Sequence, residues 1–250
     1  MFFAFPILSL LPTAIYLAAA LLPAFFLLRY VYRHDTVEKE PAGLLISLLL
    51  MGCLAALCSM VLESIGELLL KLIVTPGSKI YTIVLAFLVV AAVEEGTKLF
   101  FLKLRSWKHP AFNYRFDGVV YAVFVSLGFA ALENVQYVTA YGLSVALPRA
   151  LLAVPGHMSF AVFMGVYYGR AKHLENHGDY EGSQRCLRTG YLLAVFLHGF
   201  YDSCAMIGSE LASIVFLIFV ILVFARAFRT LRVESATDAP ITPDDPPFIL

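Results

Sequence analysis

The sequence has few charged residues for its length. Only 14% of its 250 residues are charged, while 60% are hydrophobic, and a soluble domain usually carries about 25% charged residues. This composition excludes an ordinary soluble globular protein and indicates an integral membrane protein. The formal net charge is zero, and no basic stretch is interleaved with aromatic residues, so nothing indicates nucleic-acid binding.

Cysteine is also scarce. The four cysteines lack the spacing of a zinc knuckle, and three of them lie inside apolar runs, so we expect four free thiols. The N-terminal segment has neither a basic region nor an obvious small-residue cleavage site. Its apolar run therefore predicts a retained first span rather than a removed signal peptide.

The apolar runs predict an all-α polytopic transmembrane helix bundle of about seven spans. The predicted spans are residues 7–28, 42–62, 80–102, 118–140, 149–169, 190–207 and 209–226. Only Gly208 and its neighbours separate the last two, which could instead form one bent helix. We expect one transmembrane domain over residues 1–233 and a disordered, Pro- and Asp-rich tail over residues 234–250.

Two segments between the spans carry charge. Glu67 and Lys71 stand four residues apart after the second span, which predicts that its helix continues out of the membrane with these two as a surface pair. The charged segment 170–188 contains two glycines, and we expect a solvated loop there.

Lysine and arginine fall unevenly on the two sides of the predicted spans. Fourteen of the eighteen lie on the side of the 29–39, 103–115, 170–188 and 226–232 segments. Since basic residues are enriched in cytoplasmic loops, this predicts an outer N-terminus and a cytoplasmic C-terminus.

Four of the spans carry ionisable residues well away from their ends. Such groups are costly in a bilayer and usually face a cavity or a partner. Counting about 1.5 Å per helical residue from the span ends places them at compatible depths. They are Glu94, Glu95 and Lys98 in the third span, Glu133 in the fourth, His157 in the fifth, and His198 and Asp202 in the sixth.

The spacing of these residues predicts a hydrolytic centre. His198 and Asp202 share one helix face, as the ligands of a helical zinc motif do. With His157 and Glu133 they could form a zinc site, and Glu94 could then act as general base on a bound water.

Each group also has a purely structural interpretation. Glu94 and Lys98 could form a self-neutralising pair, His157 could donate a hydrogen bond between helices, and His198 with Asp202 could clamp two helices. Glu133 with Asn134 could cap an unwound turn. Because costly groups occur at compatible depths on four of seven spans, we favour one shared cavity.

The polar motifs resemble those of the PrsW family of intramembrane proteases, which is related to the prenyl-protein (CAAX) endopeptidases and bacteriocin-processing proteins. The family motifs are EExxK, FxxxE and HxxxD, with a further histidine between the last two. In this chain they are Glu94–Lys98, Phe129–Glu133, His157 and His198–Asp202. The prenyl endopeptidases typically have FxxxH and HxxxN, so Glu133 and Asp202 argue against prenylated substrates.

The resemblance implies a peptidase domain over residues 1–233 that cleaves single-span or membrane-anchored proteins in a bacterial or archaeal plasma membrane. It implies an anti-sigma factor as a substrate, cut on its extracytoplasmic side. The glutamate pair would activate water, and Lys98 would pair with Glu95. Glu133, His157, His198 and Asp202 would bind a metal or stabilise the oxyanion. Both zinc-dependent and metal-free glutamate mechanisms fit the resemblance.

Two non-enzymatic functions use the same buried groups. They could relay ions or protons in a carrier, although the sequence shows neither inverted repeats nor paired broken helices, which many transporters have. They could also belong to a non-catalytic membrane scaffold.

Overall fold

The computed structural model describes residues 4–241, and their side chains from residue 13 onward. In chain order the elements are α1 (Ala4–His34), α2 (Ala42–Ile73), α3 (Lys79–Val84), a first π segment (Leu85–Ala91), α4 (Ala92–Ser106), α5 (Asp117–Tyr141), a 3₁₀ turn (Leu143–Val145), α6 (Ala146–Pro148), a second π segment (Arg149–Ala153), α7 (Val154–Asn176), α8 (Tyr180–Ile207) and α9 (Glu210–Ala236). Over this range the only strand-like pairing is an isolated bridge between Tyr114 and Pro240. The predicted all-α class is confirmed.

Six helices in the described part of the chain are long and apolar enough to cross a membrane. The third predicted span, residues 80–102, is formed by α3, the first π segment and α4, which follow one another without a break. The prediction of a polytopic bundle of about seven spans is therefore confirmed.

The last two spans are separate helices. Gly208 ends α8 with a φ of +67°, in the left-handed region that glycine adopts without steric cost. The Ser209 side chain then accepts a hydrogen bond from the Ala212 amide at 3.2 Å and caps α9. The alternative of one bent helix is wrong.

The expected loop over residues 170–188 is also wrong. α7 continues to Asn176 and α8 begins at Tyr180, so the connection is only three residues long. Asp179 starts α8 by accepting a hydrogen bond from the Gly182 amide at 2.8 Å. Charged residues here mark where the chain leaves the bilayer, while the helix ends are set by capping further out.

The surface ion pair predicted after the second span is present. α2 runs on to Ile73, and Lys71 and Glu67 form an exposed ion pair with 2.9 Å between nitrogen and oxygen. This pair has the same four-residue spacing as Glu94 and Lys98, which makes it a natural control for the buried pair.

The segment after residue 233 is ordered as far as the structure describes it. α9 extends to Ala236, and the amide of Ile241 donates to the Asn113 carbonyl at 2.8 Å. Ile241 is buried. Burial raises the pKa of the Asp238 carboxyl, although a hydrogen bond from the Phe116 amide partly opposes the shift. The ordered chain thus extends past the predicted boundary at 233, and residues 242–250 lie outside the described range.

Helix α5 is at the centre of the bundle. It packs against α1, α2, α4 and α7, while α8 packs against α7, α9 and the first π segment. Residues 117–130 of α5 are all buried. The helices that carry the predicted site residues are therefore neighbours.

Two glycines allow α2 and α5 to approach closely. A Cβ added at Gly52 would lie 2.0 Å from the Val125 carbonyl oxygen, and one added at Gly128 would lie 2.1 Å from the Leu49 carbonyl oxygen. Because both obstacles are backbone atoms, no side-chain rotation can relieve the clash. Small residues at such crossings let transmembrane helices pack backbone to backbone.

We expect Gly128→Ala to destabilise the bundle. The new methyl group must push α2 away from α5, and overpacking of this kind costs about 1–3 kcal/mol. The measurement is the free energy of unfolding in detergent. Gly43→Ala is the control, because a Cβ added there meets no atom within 4 Å. Equal stability of the two variants would contradict the close-approach argument.

Candidate active site

The structure brings the seven predicted site residues together. They come from four helices that are neighbours in the bundle, and each of the seven is in polar contact with at least one of the others. The residues are Glu94, Glu95 and Lys98 on α4, Glu133 on α5, His157 on α7, and His198 and Asp202 on α8.

Lys98 is at the centre of this group and is almost fully buried. Its Nζ atom is 2.9 Å from Glu94 Oε2, 2.8 Å from Glu95 Oε1 and 3.2 Å from His157 Nδ1. These three acceptors match the three protons of an ammonium group. Nζ also lies 4.0 Å from the centre of the Phe129 ring, which adds a cation–π contact. The predicted Glu94–Lys98 pair is present, but as one part of a larger network.

The contact with Lys98 fixes the tautomer of His157. Lysine can only donate, so Nδ1 of His157 must accept and the proton must be on Nε2. That nitrogen is 3.0 Å from Glu133 Oε2, to which it donates. Both ring nitrogens of His157 therefore take part in hydrogen bonds, and the bond to Glu133 fixes the orientation of the ring.

Arg149 continues this network towards the rim. Its guanidinium donates to Glu133 Oε2 at 2.8 Å and to Asn134 Oδ1 at 2.6 Å. Asn134 in turn donates to the Ala20 carbonyl at 2.9 Å. The sequence alone favours an interfacial anchor for Arg149 over a residue that steadies the outer rim of the site, and its contacts with Glu133 and Asn134 support the second of these.

His198 has two carboxylate partners. Its Nδ1 is 2.8 Å from Glu95 Oε1, and its Nε2 is 3.3 Å from Asp202 Oδ2 and 4.0 Å from Glu94 Oε2. Since a carboxylate accepts, Nδ1 of His198 donates to Glu95. Its ring stacks on Phe160, with centroids 5.1 Å apart. The His198–Asp202 contact lies within one helix, so it does not clamp two helices together.

Each π segment leads into a part of the site. The first, Leu85–Ala91, ends three residues before Glu94, and the second, Arg149–Ala153, ends four residues before His157. A π turn is wider than an α turn and occurs often at functional sites. Here the two segments help to set the direction in which the acidic pair and the histidine point.

A cavity of about 680 Å³ opens between these helices, within the usual range for ligand sites. Five of the seven predicted residues line it, and Glu95 and Lys98 do not. The lining includes Glu94, Glu133, His157, His198 and Asp202. Within the glutamate pair, Glu94 therefore faces the cavity while Glu95 is enclosed behind it, 1% exposed.

Sequence reasoning missed Glu63. Glu63 lies on α2, outside the motifs, and lines the same cavity. Its position beside Glu67 and Lys71 suggested a helix leaving the membrane. One signal was available: Glu67 has a lysine four residues on, whereas Glu63 has no basic residue three or four positions away in either direction.

Four buried residues form a group that could hold a metal ion. Glu94, Glu95, His157 and His198 each offer a ligand atom, and these atoms lie within 4.8 Å of one another. The group contains both histidines of the predicted zinc site. Glu133 and Asp202, also predicted as ligands, lie outside this group and contact the two imidazoles instead.

Fold and site together define a class of protein: a polytopic helical membrane protein with carboxylates, imidazoles and a lysine around one buried cavity. A family described as "PrsW family intramembrane metalloprotease" matches residues 40–227. The chain belongs to the PrsW family, and it is a membrane-embedded endopeptidase.

Curated relatives are similar in sequence to this chain over most of their length. Protease PrsW of Halalkalibacterium halodurans is 32% identical over 222 residues, which cover 89% of this chain and 98% of that protein. Protease PrsW of Geobacillus kaustophilus is 36% identical over 188 residues, covering 74% and 77%. Protease PrsW of Bacillus subtilis is 32% identical over 186 residues, covering 74% and 80%. No solved structure matches the chain.

Proposed function

We propose that this protein hydrolyses a peptide bond of a membrane-anchored protein by means of a water molecule activated by Glu94. The observation that carries the proposal is the different placement of the two adjacent glutamates. Glu94 lines the cavity, where a substrate can reach it, and Glu95 is enclosed between Lys98 and His198. Family membership favours this function over the carrier and scaffold alternatives.

Glu94 would act first as a base and then as an acid. Its carboxylate takes a proton from water while the water oxygen forms a bond to the scissile carbonyl carbon. When the tetrahedral intermediate collapses, the carbon–nitrogen bond breaks and Glu94 returns the proton to the leaving amine. Lys98 donates a hydrogen bond to Glu94 Oε2 at 2.9 Å and so holds the carboxylate in position for the first step.

His198 is the group best placed to stabilise the oxyanion. It lines the cavity, and its Nε2 lies 4.0 Å from Glu94 Oε2 and 3.3 Å from Asp202 Oδ2. In its protonated form the ring would place a positive charge beside the reacting carbonyl, and a fixed cation there stabilises the charge that develops in the transition state. Glu95 and Asp202 would act as positioning residues, because they hold the two nitrogens of this ring.

The residue types in the metal-compatible group are those that zinc prefers, but their hydrogen bonds do not leave room for it. His157 uses both nitrogens, towards Lys98 and Glu133, and His198 donates from Nδ1 to Glu95. A metal ion would also have to take carboxylate oxygens from the Lys98 ammonium, whose charge repels it. The residues in this arrangement do not fit zinc, and we propose that Glu94 acts without it.

The side on which the cavity opens supports a membrane orientation. The cavity is lined at this side by the end of α5, the second π segment and the last turn of α8, including Tyr137, Arg149 and Met206. The basic loops lie at the opposite helix ends, and such loops are enriched in the cytoplasm. We therefore propose an outer N-terminus, a cytoplasmic C-terminus and cleavage on the extracytoplasmic side.

The substrate would be a single-span protein, with an anti-sigma factor as the candidate that the family suggests. A transmembrane helix hides its carbonyl groups in its own hydrogen bonds. The scissile segment must therefore unwind before it can enter a cavity of this size.

The test uses purified protein in detergent with a single-span reporter, and the metal content of the same sample is measured. We expect cleavage at the same rate with and without a chelator, and much less than one zinc per chain. Glu94→Gln protein gives the background. No cleavage by the unaltered protein would overturn the proposed function. Stoichiometric zinc together with loss of cleavage on chelation would overturn only the metal-free mechanism.

A further inference from the structure

Glu63 is a cavity carboxylate that the proposed chemistry does not use. It lies on α2, a helix that contributes none of the motif residues, and its side chain is partly buried. It lines the cavity together with Glu94, Glu133 and Asp202. A substrate segment bound in this cavity can therefore contact Glu63 as well as Glu94.

Two contacts hold this face of α2 against α4 and the first π segment. Ser59 and Thr97 are joined by a hydrogen bond of 2.7 Å between their hydroxyl oxygens. Gly66 lies against the first π segment, because a Cβ added there would be 2.9 Å from Val89 Cγ1. Positions 59, 63 and 66 share one helix face. Glu63 thus lies between two anchored points, and its direction is set by packing.

Every other carboxylate of the site has a partner that bears a proton or a positive charge. Glu94 and Glu95 contact Lys98, Glu133 contacts Arg149 and His157, and Asp202 contacts His198. Across the side chains of residues 13–241, Glu63 has no hydrogen bond and no ion pair. It is the one cavity carboxylate of the described chain that lacks such a partner.

We propose that Glu63 binds a lysine or arginine side chain of the substrate segment and so determines which segments are cleaved. This inference rests on the proposed function. Between helices, where the effective dielectric is lower than in bulk water, an unpaired carboxylate attracts a cation more strongly than it would at an exposed surface. The same charge disfavours an acidic side chain at that place. Selection of basic over acidic segments follows from the charge and position of one residue on α2.

The test is a set of single-span reporters that differ at one position. Each position within five residues of the scissile bond is occupied in turn by lysine, methionine or glutamate, of which methionine is an unbranched neutral side chain. At one position we expect kcat/KM for the lysine reporter to exceed that for the methionine reporter by about tenfold or more. The glutamate reporter should be cleaved most slowly.

Substitutions at Glu63 should change this order. Glu63→Gln should abolish the preference for lysine over methionine. Glu63→Lys should reverse the charge preference, so that the glutamate reporter is cleaved faster than the lysine reporter. Glu67→Gln is the matched control, since Glu67 is one turn further along α2 and pairs with Lys71 at the surface. That variant should keep the lysine preference.

Three outcomes would overturn the inference: equal cleavage of the lysine and methionine reporters at every position, a lysine preference that persists in Glu63→Gln, or loss of all cleavage in a folded Glu63→Gln protein. The last would assign Glu63 to the chemistry instead of to selection. These outcomes are distinct from failure of the proposed function, in which the unaltered protein cleaves none of the reporters.

Discussion

Glu94→Gln is expected to reduce kcat/KM for a single-span reporter by about 10²–10⁴-fold, the usual contribution of a general base. Glutamine keeps the size of the side chain and can still accept the hydrogen bond from Lys98, but it cannot take a proton from water. The measurement is reporter cleavage in detergent, with the unfolding transition recorded on the same preparation.

Glu67→Gln is the control for this experiment. Glu67 makes the same four-residue pair with a lysine as Glu94 does, but at the surface of α2, so its loss should leave cleavage near the original rate. A Glu94→Gln protein that still cleaves at more than a tenth of that rate would show that another group activates water. Glu95→Gln would then be the next variant to measure.

Lys98→Met is expected to cost about 3–5 kcal/mol of unfolding free energy, the effect of removing one partner from a buried charge pair. Methionine has a similar length but leaves Glu94 and Glu95 without their shared cation. Both carboxylates are buried. The measurement is denaturant-induced unfolding in detergent, and cleavage should be lost as well.

Lys71→Met is the matched variant at the surface. It breaks an ion pair of the same spacing and the same 2.9 Å separation, but in contact with solvent, where such pairs contribute little. Unfolding free energies that fall equally in the two variants would contradict the central role of the buried ammonium. The comparison sets the buried ammonium, with its further partners Glu95 and His157, against a surface pair of the same residue types and spacing.

The spans and the motif helices could be predicted from the sequence because bilayer thickness imposes a minimum apolar length. Depth along each helix also follows from the residue count, which is why Glu133, His157 and His198 could be expected to meet. Hydropathy does not report where a helix ends outside the bilayer. The boundary at Asp179 depends on a capping contact, and the predicted loop there failed for that reason.

The division of roles within the site could not be predicted. Whether Glu94 or Glu95 faces the cavity depends on the rotation of α4, and the contact that encloses Glu95 joins it to His198, 103 residues away. Arg149 was ranked as an anchor and Glu63 was missed for a related reason. Arg149 takes its partners from another helix, and Glu63 is directed by packing of α2 against α4 and the first π segment.

The two π segments have a consequence for how this enzyme can change. An α-helix turns by about 100° per residue. One residue added to a helix therefore rotates the directions of all the side chains that follow it about the helix axis. The direction of Glu94 and of His157 then depends on chain length upstream as well as on local side chains. Deletion of one residue within Leu85–Ala91 would rotate Glu94 and Glu95 by about a quarter of a turn around the axis of α4, while every motif stays intact. Relatives with complete motifs but a shortened helix at this place could therefore be folded and inactive.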